Sequence, residues 1–87
     1  MTFVEFKALV KDLFPGATGL TNWSMMARHP RFAASIKVAA QPVLMYLEQT
    51  PSSLWEVCFE SAHGKDKVVD GVESPEEALR HAARAVD

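Results

Sequence analysis

The side chains of this chain that could do chemistry are few and dispersed. A thiol at Cys58, imidazoles at His63 and His81, and the carboxylates Glu56, Glu60, Asp66 and Asp70 make up the set worth weighing. Thiolate catalysis needs a base within hydrogen-bond reach of the sulfur, so Cys58 would have to meet His63 or His81. Cys58 sits in LWEVCFE between Glu56 and Glu60 on one strand face. Neighbouring carboxylates raise a thiol pKa, and no helix N-terminus or glycine-rich elbow presents this one. A small, half-buried strand residue is the expectation. Cys58, His63, Asp66, Asp70 and His81 are all metal-donor types, but they show no C-x-x-C, H-x-x-x-H or aspartate-rich loop spacing. Glu56 and Glu60 read as a solvated face rather than a catalytic carboxylate pair. Gly16 and Gly19, in PGATGLTN ahead of an expected helix start, match neither phosphate-binding fingerprint and read as a loop that turns the chain. No catalytic residue, cofactor or metal is expected.

The elements that would position these residues are clearest between Leu54 and Val86. Trp55, Val57 and Phe59 alternate with Glu56, Cys58 and Glu60, the pattern of a strand with one buried face. SAHGKD supplies Gly64 and Asp66 for a turn, and KVVDGVE returns as a second strand. Ser74-Pro75-Glu76-Glu77 opens a helix as cap, first-turn proline and capping-box acid. Ala78, Leu79, Ala82, Ala83 and Val86 fall on its sheet-facing side, with Glu76–Arg80 and Glu77–His81 as i,i+4 pairs. At the other end, Thr2 and Glu5 form a capping box for a helix over residues 3–14, with Phe6, Leu9, Val10, Leu13 and Phe14 on one face. Pro15-Gly16 stops it.

The middle is read as follows. Thr21 or Asn22 caps a short helix through Trp23 to Arg28, and Pro30 starts another helix with Phe32, Ile36, Ala39 and Ala40 as a narrow apolar stripe. Residues 43–48 fit either a continued helix or a strand. Proline at position 42 disfavours the helix, and a two-stranded hairpin alone is marginal, so a third strand joined by Thr50-Pro51-Ser52-Ser53 is expected. At a sheet edge, that strand could pair with a second copy. The expected fold is α+β: N-terminal helices, a small antiparallel meander of two to three strands, and a C-terminal helix packed on it, all in one domain spanning residues 1–87.

The chain has 87 residues, 48% of them hydrophobic and 23% charged, with a formal net charge of −2. That composition belongs to globular domains. The charge is too balanced for a strong non-specific nucleic-acid binder or a mimic of a phosphate backbone. One cysteine leaves the fold to its core alone and fits a reducing compartment. No signal-peptide pattern appears near the N-terminus and no apolar run approaches the roughly 20 residues of a membrane helix, so a cytoplasmic location without membrane contact is expected.

Two segments bear on function. The tail W-E-V-x-F…K-V-V-D-G-V-E-S-P-E-E-A-L-R-H-A-A-R-A-V resembles the closing strands and last helix of double-stranded-RNA-binding domains, over at most the last third of the chain. The S-x-EEAL-x-x-A end is also similar to that of small antitoxin domains. The first resemblance implies a helix packed on a meander and contact with RNA, although Glu76 and Glu77 stand where that family places phosphate-gripping lysines. Arg28, His29, Arg31 and Lys37 form a second cationic stretch, able to meet phosphates or an acidic protein surface. In N-W-S-M-M-A-R-H-P-R, Trp23, Met25 and Met26 are large apolar residues on a short, loop-bracketed segment. They cannot easily all point inward, and Trp23 either plugs one end of the core or helps form a docking surface. Tryptophan and arginine are enriched at interface hot spots, and methionine adapts to irregular surfaces. The leading expectation is a non-enzymatic module binding a protein partner through Trp23, Met25, Met26, Arg28 and Arg31. Its size class suggests an accessory factor of a phage or mobile element, such as an anti-CRISPR inhibitor. A nucleic-acid-associated domain is the alternative, and a homodimer is compatible with either.

Overall fold

The computed structural model describes residues 1–25 and 27–86. The chain forms α1 (Phe3–Leu13), β1 (Thr18–Asn22), β2 (Arg31–Val38), β3 (Gln41–Gln49), β4 (Trp55–Ser61), β5 (Gly64–Val72) and α2 (Pro75–Ala85). The strands make one antiparallel sheet in the order β1-β2-β3-β4-β5, with each strand paired to its sequence neighbours. The α+β class matches expectation. Five strands replace the two or three expected, and one helix stands where an N-terminal helical half was expected.

Both helices begin as their sequences dictate. Thr2 Oγ1 accepts from the Glu5 amide at 3.2 Å while Glu5 Oε1 accepts from the Thr2 amide at 2.8 Å, a complete capping box. The bond from the Thr2 amide first of all, and then the Thr2 side chain, hold the Glu5 carboxylate below the usual range. Ser74 caps α2 by accepting from the Glu77 amide at 3.2 Å, with Pro75 in the first turn. The reciprocal half of that box does not form. Glu77 instead places Oε1 3.4 Å from His81 Nε2, and Glu76 accepts from the Ser74 hydroxyl at 2.9 Å.

The helices lie on the same face of the sheet. Phe6, Val10 and Phe14 from α1 and Ala78, Leu79 and Ala82 from α2 close over Phe32, Ala34 and Ile36 of β2, Val43, Met45 and Leu47 of β3, and Trp55 and Val57 of β4. Phe6 stacks on Phe32 with ring centroids 5.1 Å apart, and Phe3 stacks on Phe32 at 6.0 Å, anchoring the start of α1 to the start of β2.

Residues 31–38 are the main correction to the sequence reading. Phe32 and Ile36 suit one helical face, but Phe32, Ala34, Ile36 and Val38 also suit one strand face. Alanine on both faces blurs the alternation and favours a helix locally. Pairing to β1 on one side and β3 on the other overrides that preference, because small residues let the layers close. Ala39 and Ala40, expected in the same helix, instead form the two-residue turn of the β2–β3 hairpin, with φ of 51° and 65°. β3 itself lies at the centre of the sheet, so residues 43–48 offer no free edge. The edges are β1, bulged at Gly19 (φ 60°), and β5, whose pairing with β4 shifts register twice.

Two adjacent non-glycine residues with positive φ cost about 1–2 kcal/mol each, and Asn-Gly is the favoured pair for such a turn. Ala39→Asn combined with Ala40→Gly is therefore expected to raise the unfolding free energy by about 1–2 kcal/mol. Equilibrium urea denaturation checks this, and a lower midpoint at unchanged slope would contradict the left-handed turn.

Candidate functional site

With both helices on one side, the other face of the sheet carries the second side-chain set of each strand. Ala33 of β2, Tyr46 of β3 and Cys58 of β4 are cross-strand neighbours there and form a small buried cluster, with Trp23 and Leu44 packed on it. Around it lie Arg31, Glu48, Glu56, Glu60, Lys65 and Lys67.

Tyr46 is the hub. Its ring centroid is 5.4 Å from that of Trp23, with the planes tilted by 45°. Arg31 Cζ lies 5.1 Å and Lys65 Nζ 5.2 Å from the same centroid, contacts worth about 0.5–1 kcal/mol each at an accessible site. The Tyr46 hydroxyl donates to Glu60 Oε1 at 3.4 Å. Burial, followed by the Glu60 charge, raises the Tyr46 phenol above its usual range. Arg31 Nε sits 2.9 Å from Glu48 Oε2, though misaligned for a directed hydrogen bond, so the contact is chiefly an ion pair. Lys67 Nζ lies 3.0 Å from Glu56 Oε2 and 3.6 Å from Asp70 Oδ1, and the Glu56 contact first of all raises the Lys67 pKa. These pairs are solvent-exposed to varying degrees and organise the face more than they stabilise it.

Trp23 reaches this face from the β1–β2 connection. Its amide donates to Arg31 O at 2.8 Å, prolonging the ladder beyond β1. Ser24 then locks the base of the loop: its Oγ accepts from the Arg31 amide at 3.0 Å and donates to Arg31 O at 3.3 Å. Asn22 Oδ1 accepts from the Ser24 amide at 3.0 Å, and the Ala27 amide donates to Trp23 O at 3.2 Å. Among the described residues, the segment 23–28 expected as a helix instead shows one turn bond, because the Asn22 and Ser24 side chains redirect the backbone into a hairpin loop. Trp23 is half-buried against the open sheet face. It neither plugs the main core nor stands free. Met25 is 98% exposed and Arg28 is exposed. Met26 lies outside the described residues.

Cys58 is 9% exposed, and its pKa is raised first by burial, with Lys65 opposing and Glu56 adding to the shift. No histidine is among the groups acting on it: His81 is on α2, across the sheet, and His63 is at the β4–β5 turn. Among the described residues, no three of His, Cys, Asp and Glu converge as a metal site. Gly16 lies in a turn and Gly19 in the β1 bulge, and a strand follows them where the sequence reading placed a helix start. Tyr46 and Lys65 were not singled out from sequence. The only local signal for Tyr46 was an outward aromatic in a strand, and its importance comes from small partners, Ala33 and Cys58, on the flanking strands.

Comparison with protein-family models, with curated proteins and with solved structures finds no match. Among the described residues, no helix is long and apolar enough to cross a membrane.

The thiol environment is directly testable. Because the folded state favours neutral Cys58, its contribution to stability is complete below the ordinary thiol pKa of about 8.5 and is lost as pH rises through the higher folded value. Thermal melts from neutral to alkaline pH should show this loss, and Cys58→Ala should flatten its first part, leaving the losses from Tyr46 and Lys67 at higher pH. Native Cys58 should also alkylate more slowly than the unfolded thiol, and Tyr46→Ala, which removes its cross-strand neighbour, should speed the reaction. Equal rates in native and unfolded chains would contradict this burial.

Proposed function

We propose that this chain is a non-enzymatic protein-interaction module that binds, and modulates or inhibits, a partner protein through the β1–β2 loop and the adjoining open sheet face. The observation that carries this reading is Met25, 98% exposed on a loop whose base is fastened by both Ser24–Arg31 hydrogen bonds. A large apolar side chain gains nothing in stability from such a position, and a fastened loop loses less entropy on docking. Trp23, Arg28 and Arg31 flank it, residue types enriched in the energetic centres of interfaces. The Trp23–Tyr46 pair supplies an adjoining apolar surface rimmed by charge.

The size class extends the reading to an accessory inhibitor of a phage or mobile element, of which anti-CRISPR proteins are one kind. The nucleic-acid alternative rests on Arg28, Arg31, Lys37 and the tail resemblance. It is the weaker reading, because Arg31 and Lys67 on the open face are already paired with carboxylates and α2 opens with Glu76 and Glu77.

Affinity capture from a lysate of the source organism, at low and high salt, tests the proposal. A protein retained at both salts by wild type, with affinity lowered roughly thirtyfold (about 2 kcal/mol) by folded Trp23→Ala or Met25→Asp, is the expected result. Assaying the captured partner's own activity with and without the chain then tests inhibition. Nucleic acid retained only at low salt and indifferent to both substitutions would overturn the proposal in favour of phosphate contact.

A further inference from the structure

The helix layer carries a groove whose chemistry complements the β1–β2 loop. Met1, Ala8 and Leu9 supply its apolar part, and Glu5, Asp12 and Glu76 supply three carboxylates, around a volume of about 450 Å³. Neither lysine nor arginine lines it, and the Met1 ammonium, which acts on Glu5, leaves the carboxylates in excess. The loop has the opposite character. From Leu13 to Leu47 the chain contains no carboxylate at all, while Arg28, Arg31 and Lys37 fall within that stretch. Arg31 is neutralised by Glu48, whereas Arg28 is exposed and makes no ion pair among the described residues. Beside it stands Met25, the most exposed large apolar residue described.

We infer that the groove between α1 and the start of α2 receives the Met25–Arg28 loop of a second copy of this chain. Met25 enters the apolar floor, and Arg28 meets the carboxylates of the rim. Within one molecule Arg28 makes no ion pair with these carboxylates among the described residues and Met25 is 98% exposed, so neither side chain occupies the groove of its own chain. The groove belongs to the helix layer and the loop leaves from Trp23 on the opposite sheet face, so one pairing does not bring the second loop and groove together, and the contact is heterologous and head-to-tail. Each copy keeps one unused groove and one unused loop, and association proceeds to short chains or a ring instead of stopping at a symmetric dimer. A loop seated in a groove buries less than the roughly 1,200 Å² of a standard stable interface, so the association is weak and concentration-dependent. Screening of the Arg28–carboxylate attraction makes it weaker at high salt. The contact uses the loop assigned above to partner binding but does not depend on that reading, since it requires only the purified chain.

Complementation between two variants tests the inference. Arg28→Gln spoils the loop and leaves the groove intact, whereas Ala8→Lys with Asp12→Lys spoils the groove and leaves the loop intact, and the neutral glutamine gains no attraction to the introduced lysines. All three positions are exposed, so circular dichroism and melting should match wild type. If Arg28→Gln perturbs the fold, Met25→Ser serves as the loop variant. Sedimentation velocity from micromolar to millimolar concentration should show wild type associating beyond a dimer. Each variant alone should be monomeric, with self-affinity reduced about tenfold or more. Their mixture should form 1:1 dimers that grow no further, because one good loop meets one good groove and both outer ends are dead. A wild type that stays monomeric up to millimolar concentration overturns the inference. So does a variant that associates like wild type, or a mixture that forms no dimer. Loss of this contact would leave the proposed partner capture untouched, and failure of partner capture would leave this contact untouched.

Discussion

Every other feature of this molecule depends on the placement of both helices on the same face of the sheet. A five-stranded antiparallel sheet exposes two faces, and α1 and α2 together cover one. Each strand must therefore sort its residues by parity. Phe32, Ala34 and Ile36, then Val43, Met45 and Leu47, then Trp55 and Val57 go beneath the helices. A slip of one residue in any strand would exchange those sets, so apolar burial on one face specifies the register of the whole sheet. The Phe3, Phe6 and Phe32 stack ties this arrangement to the first turns of α1, where the capping box sets the direction of the helix.

The opposite face follows from the same parity rule but meets a different requirement. With no second layer over it, it must be compatible with water while still shielding the middle of the sheet. Tyr46 does this by lying across the small side chains Ala33 and Cys58, with Trp23, Arg31 and Lys65 around its ring. The carboxylates Glu48, Glu56 and Glu60 answer the cations and the phenol, so charge on this face is balanced locally. Burial of Cys58 under this arrangement explains a thiol held neutral, which suits packing and not nucleophilic attack.

At one end of the sheet the same face continues into the β1–β2 connection. Ladder bonds end at Trp23, and Ser24 closes the hairpin through Arg31. Beyond that point the chain carries side chains that the fold does not use, Met25 above all. A fastened base with an unused apolar tip separates the task of folding from the task of recognition. The docking proposal and the head-to-tail contact with a second copy both grow from that separation.

Much of the periphery was legible in the sequence. Thr2 with Glu5, Pro15-Gly16, Ser74-Pro75 and the alternation around Cys58 act through neighbours within a few residues, and each appears in the structure nearly where local chemistry puts it. The candidate surface was legible in part: Trp23, Met25 and Arg31 stood out by type and crowding, whereas Tyr46 and Lys65 did not. The middle of the chain misled because its signals are ambiguous at short range. Phe32 and Ile36 satisfy two periods at once, and Ala33, Ala34, Ala39 and Ala40 prefer a helix wherever nothing opposes it. Residues 31–38 become a strand because β3, some ten residues away, and β1, on the other side, satisfy their backbone groups, while two helices from opposite ends of the chain bury one face. By itself, then, the sequence determined the ends of α1 and α2, the Thr50-Pro51-Ser52-Ser53 turn and the two strands of the outer hairpin, where the deciding interactions are local. That hairpin nonetheless turns at residues 62–63 and leaves Gly64 and Asp66, expected in the turn, within β5. Only the tertiary structure decided that residues 31–38 pair as a strand, that Ala39 and Ala40 turn left-handed, and that Trp23 lies against Tyr46. Those outcomes depend on pairing and burial between segments distant in sequence, whose energies exceed local propensity.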